Sequence, residues 1–560
     1  MALIEVDESK CVGCNACIRV CPAPEANKTF ITEDRRSITQ VNSERCIACG
    51  ECVRACRHGA RNFNDDLEKF LNDCKTSRKV MVVAPSIKTA FPRKWRNILN
   101  WFRSHGVAAI YDVSLGADIC SWAHLKFIED HPDEKIITQP CAAIVNYVKK
   151  YSVNLVDSLS PIHSPIACEA IYLRDYLNVR EDIAAFTPCI AKKDEFTEIG
   201  VVKYNITYKK VQDYFEKNNI KIPEENFEYT YNFDDQQGTL GGIYPRPGGL
   251  RDNLWFKDPD LNITNSEGAS KVYRELDMYS RIDSNHRPDV FDVLSCEFGC
   301  NTGPASGDNT SIFEIMSIMR DVEAEAKKDR REGKARNIFG SERDKLYKKF
   351  DDTLDLSKFA RSYDKPKKTS YTPKDSDLEP VFVSMGKLTE EDRHFDCHAC
   401  GYNSCRDMAV AIYRGLNVPD NCIVHAKSAL SQRYGDVENV SKGVSDFANK
   451  LTADIENIYA SLLSIDEKNK QGFKYTDVVD SLLKQVIDTY KDEKSLDSDD
   501  VKELILVLDR MQDSIKIMNN VTAETTTNSA AIREAMEEVA NATMELSRMV
   551  NEMVDTFGKA

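Results

Sequence analysis

The cysteines constrain the fold of this 560-residue chain more than any other feature, because sixteen of the nineteen fall into groups of eight, four and four. The stretches 190–295 and 423–560 contain no cysteine. Disulfide scaffolds are small, secreted and evenly bridged, whereas clustered cysteines in a long chain favour metal binding. A chain of this length also exceeds the size of a single hydrophobic core. We therefore predict several domains, with cysteine-bound metal in most of them.

The first group lies within residues 11–56 and repeats one spacing. Its two runs read Cys11-x-x-Cys14-x-x-Cys17-x-x-x-Cys21-Pro22 and Cys46-x-x-Cys49-x-x-Cys52-x-x-x-Cys56. This is the spacing of bacterial two-cluster ferredoxins, in which three thiolates of a run hold one 4Fe-4S cube and the fourth reaches the other cube. We assign one cluster to Cys11, Cys14, Cys17 and Cys56, and the other to Cys46, Cys49, Cys52 and Cys21. A pair of zinc knuckles is the alternative, but zinc sites use a different spacing.

The second group is spread over three distant segments. They are Thr-Gln-Pro-Cys at 138–141, Thr-Pro-Cys-Ile-Ala-Lys-Lys at 187–193 and Leu-Ser-Cys-Glu-Phe-Gly-Cys at 294–300. Four thiolates from three loops can hold one 4Fe-4S cube; here they are Cys141, Cys189, Cys296 and Cys300. Lys192 places a positive charge and a donor beside any anionic ligand of that cube. The alternative is four ordinary buried cysteines, which are common in protein cores.

The sequence around these segments alternates between strand-like and helix-like patterns. Residues 80–85 form a short apolar run that fits a buried parallel strand, residues 94–104 are helical in pattern, and residues 107–113 are strand-like again. Alternation of this kind predicts an α/β domain.

Over residues 77–363 the chain resembles the catalytic domain of FeFe-hydrogenases, through the three cysteine segments, Ser-Pro at 164–165 and Gly-Gly-Leu at 248–250. The resemblance implies an H-cluster, which is a 4Fe-4S cube joined to a di-iron unit carrying CO and cyanide. It implies that the four cysteines ligate the cube and that Cys300 also bridges to the di-iron unit. It further implies that Lys192 donates a hydrogen bond to a cyanide ligand.

Several positions depart from the pattern of that family. Its catalytic enzymes have a proton-relaying free cysteine directly before the first ligand, where this chain has Pro140. The other departures are Ala123 and Lys126 at expected proton-channel glutamates, Thr187 at a methionine and Ile144 at a tryptophan. Proton transfer needs a donor within hydrogen-bond reach, so we expect slow turnover with H2 binding retained. This combination resembles the sensory hydrogenases, a divergent group of the family.

Two residues are candidates for a surrogate proton relay. Cys168 lies four residues after Ser164 and would be near the cluster if the resemblance holds. His124 is the second candidate. The alternatives are a packed core thiol for Cys168 and a structural or solvated histidine for His124.

The third group is Cys397-x-x-Cys400-x-x-x-x-Cys405, with Cys422 seventeen residues later. A helix starting at Ser404 followed by the turn at 419–421 would bring Cys422 back to the other three. The group resembles the small 4Fe-4S domain of corrinoid iron–sulfur proteins and several sensory hydrogenases. A structural zinc site is the alternative, since it has the right number of ligands. The polar, proline-bearing residues before this group are predicted to be a linker.

The region after Pro419 contains no proline and predicts long helices. From residue 504 apolar positions alternate at spacings of four and three, which indicates a coiled coil. The stripe consists of Leu504, Leu508, Met511, Ile515, Met518, Thr522, Thr525, Ser529, Ile532, Met536, Val539, Thr543, Leu546, Val550, Met553 and Phe557. The polar stretch 491–500 should divide the region into two helices. A purely oligomerising tail and a signalling tail both fit this pattern.

The predicted order of domains is a two-cluster ferredoxin domain (1–76), an H-cluster domain (77–363), a linker (364–380), a small 4Fe-4S domain (381–432) and a helical coiled-coil region (433–560). The net charge of −15 excludes a nucleic-acid-binding surface. The sequence contains neither a signal-peptide pattern nor an apolar run of membrane-spanning length. We therefore expect a cytoplasmic protein of an anaerobic organism.

The resemblance predicts an H2-sensing FeFe-hydrogenase that passes the redox state of its clusters to the helical region. Its partners would be H2 and protons, a redox partner such as ferredoxin, hydrogenase maturation proteins, a downstream signalling protein and a second copy of the chain. One alternative is an iron–sulfur assembly or scaffold protein of the Nar type, which lacks the di-iron unit. A catalytic, ferredoxin-linked hydrogenase is the other.

Overall fold

A computed structural model describes residues 3–225, 233–307, 310–328, 342–365, 373–492 and 499–558. The chain divides into two compact units, Met1–His425 and Ala426–Ala560. The first unit contains all nineteen cysteines. No helix of the described ranges is both long and apolar enough to cross a membrane.

The N-terminal part of the first unit is a small α+β domain made of two antiparallel strand pairs. Strand β1 (Ile4–Val6) pairs with β4 (Arg61–Phe63), and β2 (Asn27–Ile31) pairs with β3 (Ser37–Val41). The two short helices that follow the cysteine loops are α1 (Ala16–Arg19) and α2 (Glu51–Ala55). Both loops need the left-handed backbone region, and Gly50, with φ of 80°, supplies it just before α2.

The central part is built on two parallel sheets, as the alternating pattern predicted. The larger has the order β6-β5-β8-β9, and the smaller has the order β10-β11-β7. Their strands are β5 (Lys79–Val83), β6 (Val107–Asp112), β7 (Ile136–Ile137), β8 (Asp182–Thr187), β9 (Val202–Thr207), β10 (Ile263–Glu267) and β11 (Val290–Leu294). Every residue of β5 is buried, which is the burial expected of a central strand covered on both faces.

Helices cover both sheets. They are α3 (Leu67–Asp73), α4 (Ile87–Ala90), α5 (Trp95–Ser104), α6 (Val113–Asp130), α7 (Ala142–Tyr151), α8 (Pro165–Asp175), α9 (Lys192–Ile199), α10 (Tyr208–Lys217), α11 (Gly249–Trp255), α12 (Val272–Tyr279), α13 (Ile312–Lys328) and α14 (Glu342–Thr353). Helices α6 and α8 pack against each other so closely that a Cβ at Gly116 would lie 2.3 Å from the carbonyl oxygen of Pro165. Only glycine fits at this contact.

The third cysteine group lies in a helical module that begins earlier than predicted. Its helices are α15 (Asp375–Ser384), α16 (Glu390–Arg393) and α17 (Cys405–Tyr413). Helix α15 occupies residues that the sequence assigned to a linker, so that prediction was wrong over residues 375–380. The Asp377 carboxylate accepts a hydrogen bond from the backbone of Lys374, 2.8 Å away, and Leu378 and Phe382 are buried against the module. Capping and burial together offset the Pro380 inside the helix.

The second unit consists of two long helices, as the sequence predicted. Helix α18 (Ile423–Asp492) starts in the first unit and continues into the second, and α19 (Asp499–Gly558) follows it. The two helices run antiparallel. Asn469 donates a hydrogen bond to Thr526 over 3.3 Å, and farther along α18 Asp480 accepts one from Gln512 over 3.2 Å, so the partner numbers fall as the α18 numbers rise.

The packing of these helices buries only part of the predicted stripe. Ile515, Ser529 and Thr543 are buried against α18. Other members of the stripe are exposed, namely Leu504, Met511, Met518, Ile532, Val539 and Leu546, each with 44–51% of its surface exposed. On α18 four buried residues are spaced seven positions apart, at Ser441, Ala448, Ile455 and Leu462, and Leu483 and Ile487 are buried farther along. The apolar surface of α19 is therefore wider than one antiparallel neighbour covers.

A buried carboxyl group on α8 makes the stability of the first unit depend on pH. Glu169 is 2% exposed and its Oε2 atom has no hydrogen-bond partner. Burial raises the pKa of Glu169 well above its usual range, and the nearby Asp112 carboxylate raises it further. The folded state thus binds this proton more tightly than the unfolded state does, and stability is lost as the pH rises above the ordinary pKa of a glutamate.

We predict that Glu169→Gln makes the first unit more stable than the parent at pH 8, because the amide removes the need to keep a proton on a buried carboxyl group. The difference between the two proteins should shrink as the pH falls towards 5. Urea denaturation at several pH values measures it, with Glu129→Gln as the control because the side chain of Glu129 is 74% exposed. An equal gain at every pH would contradict the prediction.

Candidate metal centres

Each mid-chain cysteine segment begins where a parallel strand ends. Cys141 follows β7, Cys189 follows β8 and Cys296 follows β11. Ligand sites of parallel sheets lie at the carboxyl ends of the strands. The topology therefore brings together three loops that are far apart in sequence.

The three loops surround one buried cavity of about 90 Å³. Its lining includes all four predicted ligands of the second group, together with Lys192 and Pro140. Burial, together with the nearby Cys141, raises the pKa of the Cys189 thiol to about 11. Burial also raises the pKa of Cys296 and Cys300. A raised pKa favours the protonated thiol, whereas a metal ligand must be a thiolate, so binding of a cation here would release protons.

The donor set fits an iron–sulfur cube. Cys141, Cys189, Cys296 and Cys300 are free thiols that face a mostly apolar cavity from three sides. Among the residues that the structure describes, no three metal-binding side chains converge as closely as a single ion requires.

Lys192 is held by a buried network of charges. Its ammonium group donates a hydrogen bond to Ser164 over 2.9 Å and forms an ion pair with Glu195. Arg361 lies on the other side of Glu195, with 3.5 Å between Nη1 and Oε1. Burial opposes ionisation of Glu195, but Lys192 and Arg361 overcome it and lower the pKa of Glu195. Sequence reasoning missed Glu195 and Arg361, although the spacing of Lys192 and Glu195 places both on one face of α9.

Pro140 and Thr187 are two of the residues that depart from the family pattern, and both line the cavity. Pro140 lines the cavity directly before Cys141 and offers neither a side-chain proton nor a backbone N–H. The hydroxyl oxygen of Thr187 accepts a hydrogen bond from the backbone N–H of Cys189 over 3.2 Å, so this side chain shapes the ligand loop. The remaining departures, Ala123, Lys126 and Ile144, do not line the cavity. Ala123 is buried, Lys126 pairs with Asp351 over 3.1 Å, and Ile144 packs in the apolar cluster that contains Cys141.

Neither relay candidate lines the cavity. Cys168 and His124 lie in a buried cluster that also contains Cys120. The thiols of Cys120 and Cys168 donate to the same carbonyl oxygen, that of His163, over 3.3 and 3.2 Å. His124 lies 3.6 Å from the Cys120 sulfur through Nδ1 and contacts the Ser160 hydroxyl through Nε2 over 2.9 Å. Burial opposes ionisation of Cys120, but the hydrogen bond from Cys168 and the charge of His124 lower its pKa.

No predicted site included Cys120, although its four-residue spacing from His124 places both side chains on one face of α6. The cluster reaches the cavity through Tyr244, which lines the cavity and hydrogen-bonds to Cys120. The Tyr244 hydroxyl is also 2.8 Å from that of Ser121. Tyr244 is a second residue that the sequence did not single out.

The N-terminal cysteine runs lie beside each other around a buried arginine. Burial, together with Cys52 and Cys46 of the second run, raises the pKa of Cys21 to about 12. Cys17 lies near Cys11 and Cys14 of its own run. Arg61, which is 5% exposed, donates to the Cys17 sulfur over 3.1 Å. A buried cation beside the thiols compensates negative charge in this domain, and Arg61 is a further residue that the sequence did not identify.

The third group also converges. Cys397, Cys400, Cys405 and Cys422 line one small cavity. The Asp396 carboxylate accepts a hydrogen bond from the backbone N–H of Cys405 over 2.6 Å, which fixes the start of α17. The predicted helix at residue 404 begins at Cys405, with Ser404 as its N-cap.

Three family models match the chain, in the order of its cysteine groups. A 4Fe-4S dicluster domain matches residues 3–57, the C-terminal domain of the iron-only hydrogenase large subunit matches residues 77–304, and a domain described as a putative Fe-S cluster matches residues 394–424. No curated protein matches the chain.

Solved hydrogenase structures are similar to part of the chain. Apo FeFe-hydrogenase HydA1 from Chlamydomonas reinhardtii is 13% identical and has a TM-score of 0.39, covering 54% of this chain and 98% of its own. A HydA structure that reports stepwise H-cluster assembly is 12% identical, with the same coverage and TM-score. A structure concerning oxygen inactivation of FeFe-hydrogenase is 14% identical with a TM-score of 0.34, covering 47% of this chain and 88% of its own.

The family matches and the convergence of the cysteines lead to the same assignment. The N-terminal match accounts for the first two cysteine runs, and the central match contains Cys141, Cys189, Cys296 and Cys300. Residues 77–304, which contain the second cysteine group, are therefore similar to the C-terminal domain of the iron-only hydrogenase large subunit.

Proposed function

We propose that this protein is an H2-sensing FeFe-hydrogenase, which oxidises H2 slowly and reversibly and passes the resulting redox state to its C-terminal helices. One observation carries the proposal. Four cysteines and Lys192 line the same buried cavity, while Pro140 stands at the position of the family's proton relay. The site thus has the residues to hold an H2-binding centre and lacks the group that makes turnover fast.

The residues around the cavity fit an H-cluster. Cys141, Cys189, Cys296 and Cys300 would hold its cube, with Cys300 also reaching the di-iron unit. When bound, this group supplies the metal at which H2 is split into two protons and two electrons. Lys192, held in place by Ser164 and Glu195, presents a positive charge to anionic ligands in the cavity. The lining of the cavity is mostly apolar, and a low dielectric strengthens that interaction.

Protons must leave the cavity by a route that does not use residue 140. Tyr244 lines the cavity and hydrogen-bonds to Cys120, so it joins the cavity to the thiol cluster of α6 and α8. Cys168, Cys120 and His124 then form a chain of groups that can accept and donate protons, and it continues to Ser160. Such a route has more steps than a single cysteine at the cavity, and we expect it to be slow.

The N-terminal cysteines would hold two 4Fe-4S clusters and the third group one more. Cys422, a ligand of the third site, is directly followed by the first residue of α18. A change of charge at this site acts on the positive end of the helix dipole. Redox change there would bias the packing of the long helices, which is the kind of two-state element that signalling requires.

The exposed half of the α19 stripe supports self-association. Met511, Met518, Ile532, Val539 and Leu546 repeat every seven or fourteen residues and are exposed within this chain. A repeat of this kind fits the seam of a coiled coil. We propose that a second copy covers it, and that signalling changes this contact.

Two other functions remain as alternatives. A Nar-type scaffold would keep the cubes and lack the di-iron unit, and the absence of a cysteine at residue 140 favours it. A catalytic, ferredoxin-linked hydrogenase would keep the di-iron unit and turn over fast. Hydrogenase maturation proteins would be partners of the proposed sensor and of this enzyme, but not of the scaffold.

Infrared spectroscopy of protein matured with the hydrogenase maturation proteins tests the function directly. We expect absorption bands of CO and cyanide that shift when H2 is added, because the di-iron unit carries those ligands. Cys189→Ala should abolish the bands, and Cys74→Ala should keep them, since Cys74 lies outside the cavity. Matured protein without the bands would support the scaffold, and fast turnover would support the catalytic enzyme.

The proton route is tested by Cys168→Ala. We predict that H2 oxidation slows by about tenfold or more, since positioned proton donors contribute about 100-fold or more to rates. The infrared bands should stay, because the substitution leaves the ligands of the cavity intact. Cys74→Ala is the matched control of a buried thiol. Unchanged turnover would remove Cys168 from the mechanism.

Self-association is tested by Met518→Glu combined with Ile532→Glu. Each buried apolar side chain of this size contributes about 1.5–3 kcal/mol, so the double variant should dissociate at least about 100-fold more readily. Analytical ultracentrifugation measures the effect, with Glu534→Gln as the control. A variant that associates as tightly as the parent would place the contact elsewhere.

A further inference from the structure

The N-terminal domain contacts the hydrogenase-like domain through its second cysteine run. Helix α7, which starts directly after Cys141, supplies three of the contacts. Lys150 donates to the carbonyl oxygen of Cys46 over 2.5 Å, Tyr151 to that of Arg45 over 2.7 Å, and Asn146 to that of Ile47 over 3.3 Å. Three hydrogen bonds thus join the second run to the helix that begins at the metal-site cavity.

Close packing continues on the other side of this run. A Cβ at Gly50 would lie 2.7 Å from the Ile190 side chain and 2.8 Å from Pro304, so glycine is required for the approach. Ile190 is the neighbour of Cys189 in the chain. Cys46, Cys49 and Cys52 pack against the same apolar cluster as Cys141 and Cys189.

The first cysteine run faces a different part of the molecule. Asn15, between Cys14 and Cys17, forms two hydrogen bonds with Asn421, one of 2.9 Å and one of 3.2 Å, and donates a third to the carbonyl oxygen of Ala399 over 3.4 Å. Asn421 directly precedes Cys422, and Ala399 directly precedes Cys400. The loop of the first run therefore bonds to residues adjoining two thiols of the third group.

This second contact is also tightly packed. Gly401, with φ of +90°, lies so near the loop that a Cβ would be 2.9 Å from both the Asn15 carbonyl oxygen and the Ile18 side chain. Cys17 packs against the apolar cluster that contains Cys400 and Cys422. Farther out, the Thr29 N–H donates to the Leu416 carbonyl oxygen over 2.8 Å.

A groove of about 780 Å³ is lined by all three parts of the first unit. Its lining includes Gly401 and Leu416 of the third module, Ala269 and Tyr273 of the hydrogenase-like domain, and Cys21 of the N-terminal domain. Electron tunnelling weakens steeply with distance and is more efficient through packed protein than through water. The packed contacts described above connect the third group to the hydrogenase-like domain through the N-terminal domain.

We propose that the N-terminal domain is the electron connection between the metal-site cavity and the third cysteine group, with the second cysteine run facing the cavity and the first run facing the third group. The order in space thus differs from the order in sequence, where the hydrogenase-like domain lies between the other two. Asn15 and Asn421 are positioning residues that hold the first and third sites together.

The proposal rests on the clusters of the proposed function and specifies their order. The oxidation of one H2 releases two protons and two electrons, and each electron moves singly. A reduced cluster at the first run loses one electron and the oxidised cluster of the third group gains it. No other oxidant or reductant takes part.

The test uses full-length protein with its 4Fe-4S clusters reconstituted and reduced by dithionite, so it requires no di-iron unit. Pulsed electron paramagnetic resonance measures how the spin relaxation of the third cluster depends on the others. We expect relaxation to slow when Cys14→Ala removes the first-run cluster and to stay unchanged when Cys49→Ala removes the second-run cluster. The opposite pattern, or no dependence on either cluster, would overturn the proposal.

A second variant covers the case in which a ligand substitution unfolds the domain. Asn15→Ala with Asn421→Ala keeps every cysteine and should weaken the same relaxation effect, whereas the control Asn285→Ala, at an exposed turn, should not. An effect as strong as in the parent would exclude Asn15 and Asn421 as positioning residues.

The outcome is distinguishable from failure of the proposed function. If the protein shows the relaxation effect but no CO or cyanide bands, the result would support this electron connection and contradict the proposed reaction with H2. If the protein shows the bands and responds to H2, but its third cluster is coupled to neither run, the result would support the proposed function and contradict the electron connection.

Discussion

Burial of thiol groups is the constraint on which the first unit depends. Burial raises the pKa of Cys189 to about 11 and that of Cys21 to about 12. Thiols in such surroundings are neutral, and the fold by itself disfavours the thiolates that bind iron. Bound metal supplies the missing positive charge, so iron loading and the ordering of the cysteine loops stabilise each other.

The protein also places its own cations where the thiols converge. Arg61 donates to Cys17 inside the N-terminal domain, and Lys192 lines the central cavity. Lys192 is in turn fixed by Glu195 and Arg361, all three nearly inaccessible to water. Removing one member of such a network leaves a buried charge unpaired, which costs about 3–5 kcal/mol. Lys192 is therefore held in one position beside the cavity, whereas the proposed proton route relies on groups that change protonation.

The sequence predicted local features well where one residue type decides the structure. Cysteine spacing predicted which loops come together around common cavities, and the fully apolar run at residues 80–83 predicted a central parallel strand. The absence of proline after residue 419 predicted the two long helices. Prediction was wrong at residues 375–380, because Pro380 and polar neighbours indicated a linker while Leu378 and Phe382 are buried in a helix. The apolar stripe of α19 was visible, but periodicity along one helix does not identify which helix covers each position.

What the sequence alone determined is chemistry carried within short segments, namely thiol groups at ligand spacing, the missing donor at Pro140 and the sign of the charge at Lys192. Each of these features depends on residues close together in the chain, so it can be identified without knowledge of the fold. Only the tertiary structure decided which segments meet. It placed Cys120 beside Cys168 and His124, Arg361 beside Glu195, and the loop of Asn15 against Asn421. Such contacts join residues up to four hundred positions apart, and they arise from packing and burial that no local pattern encodes.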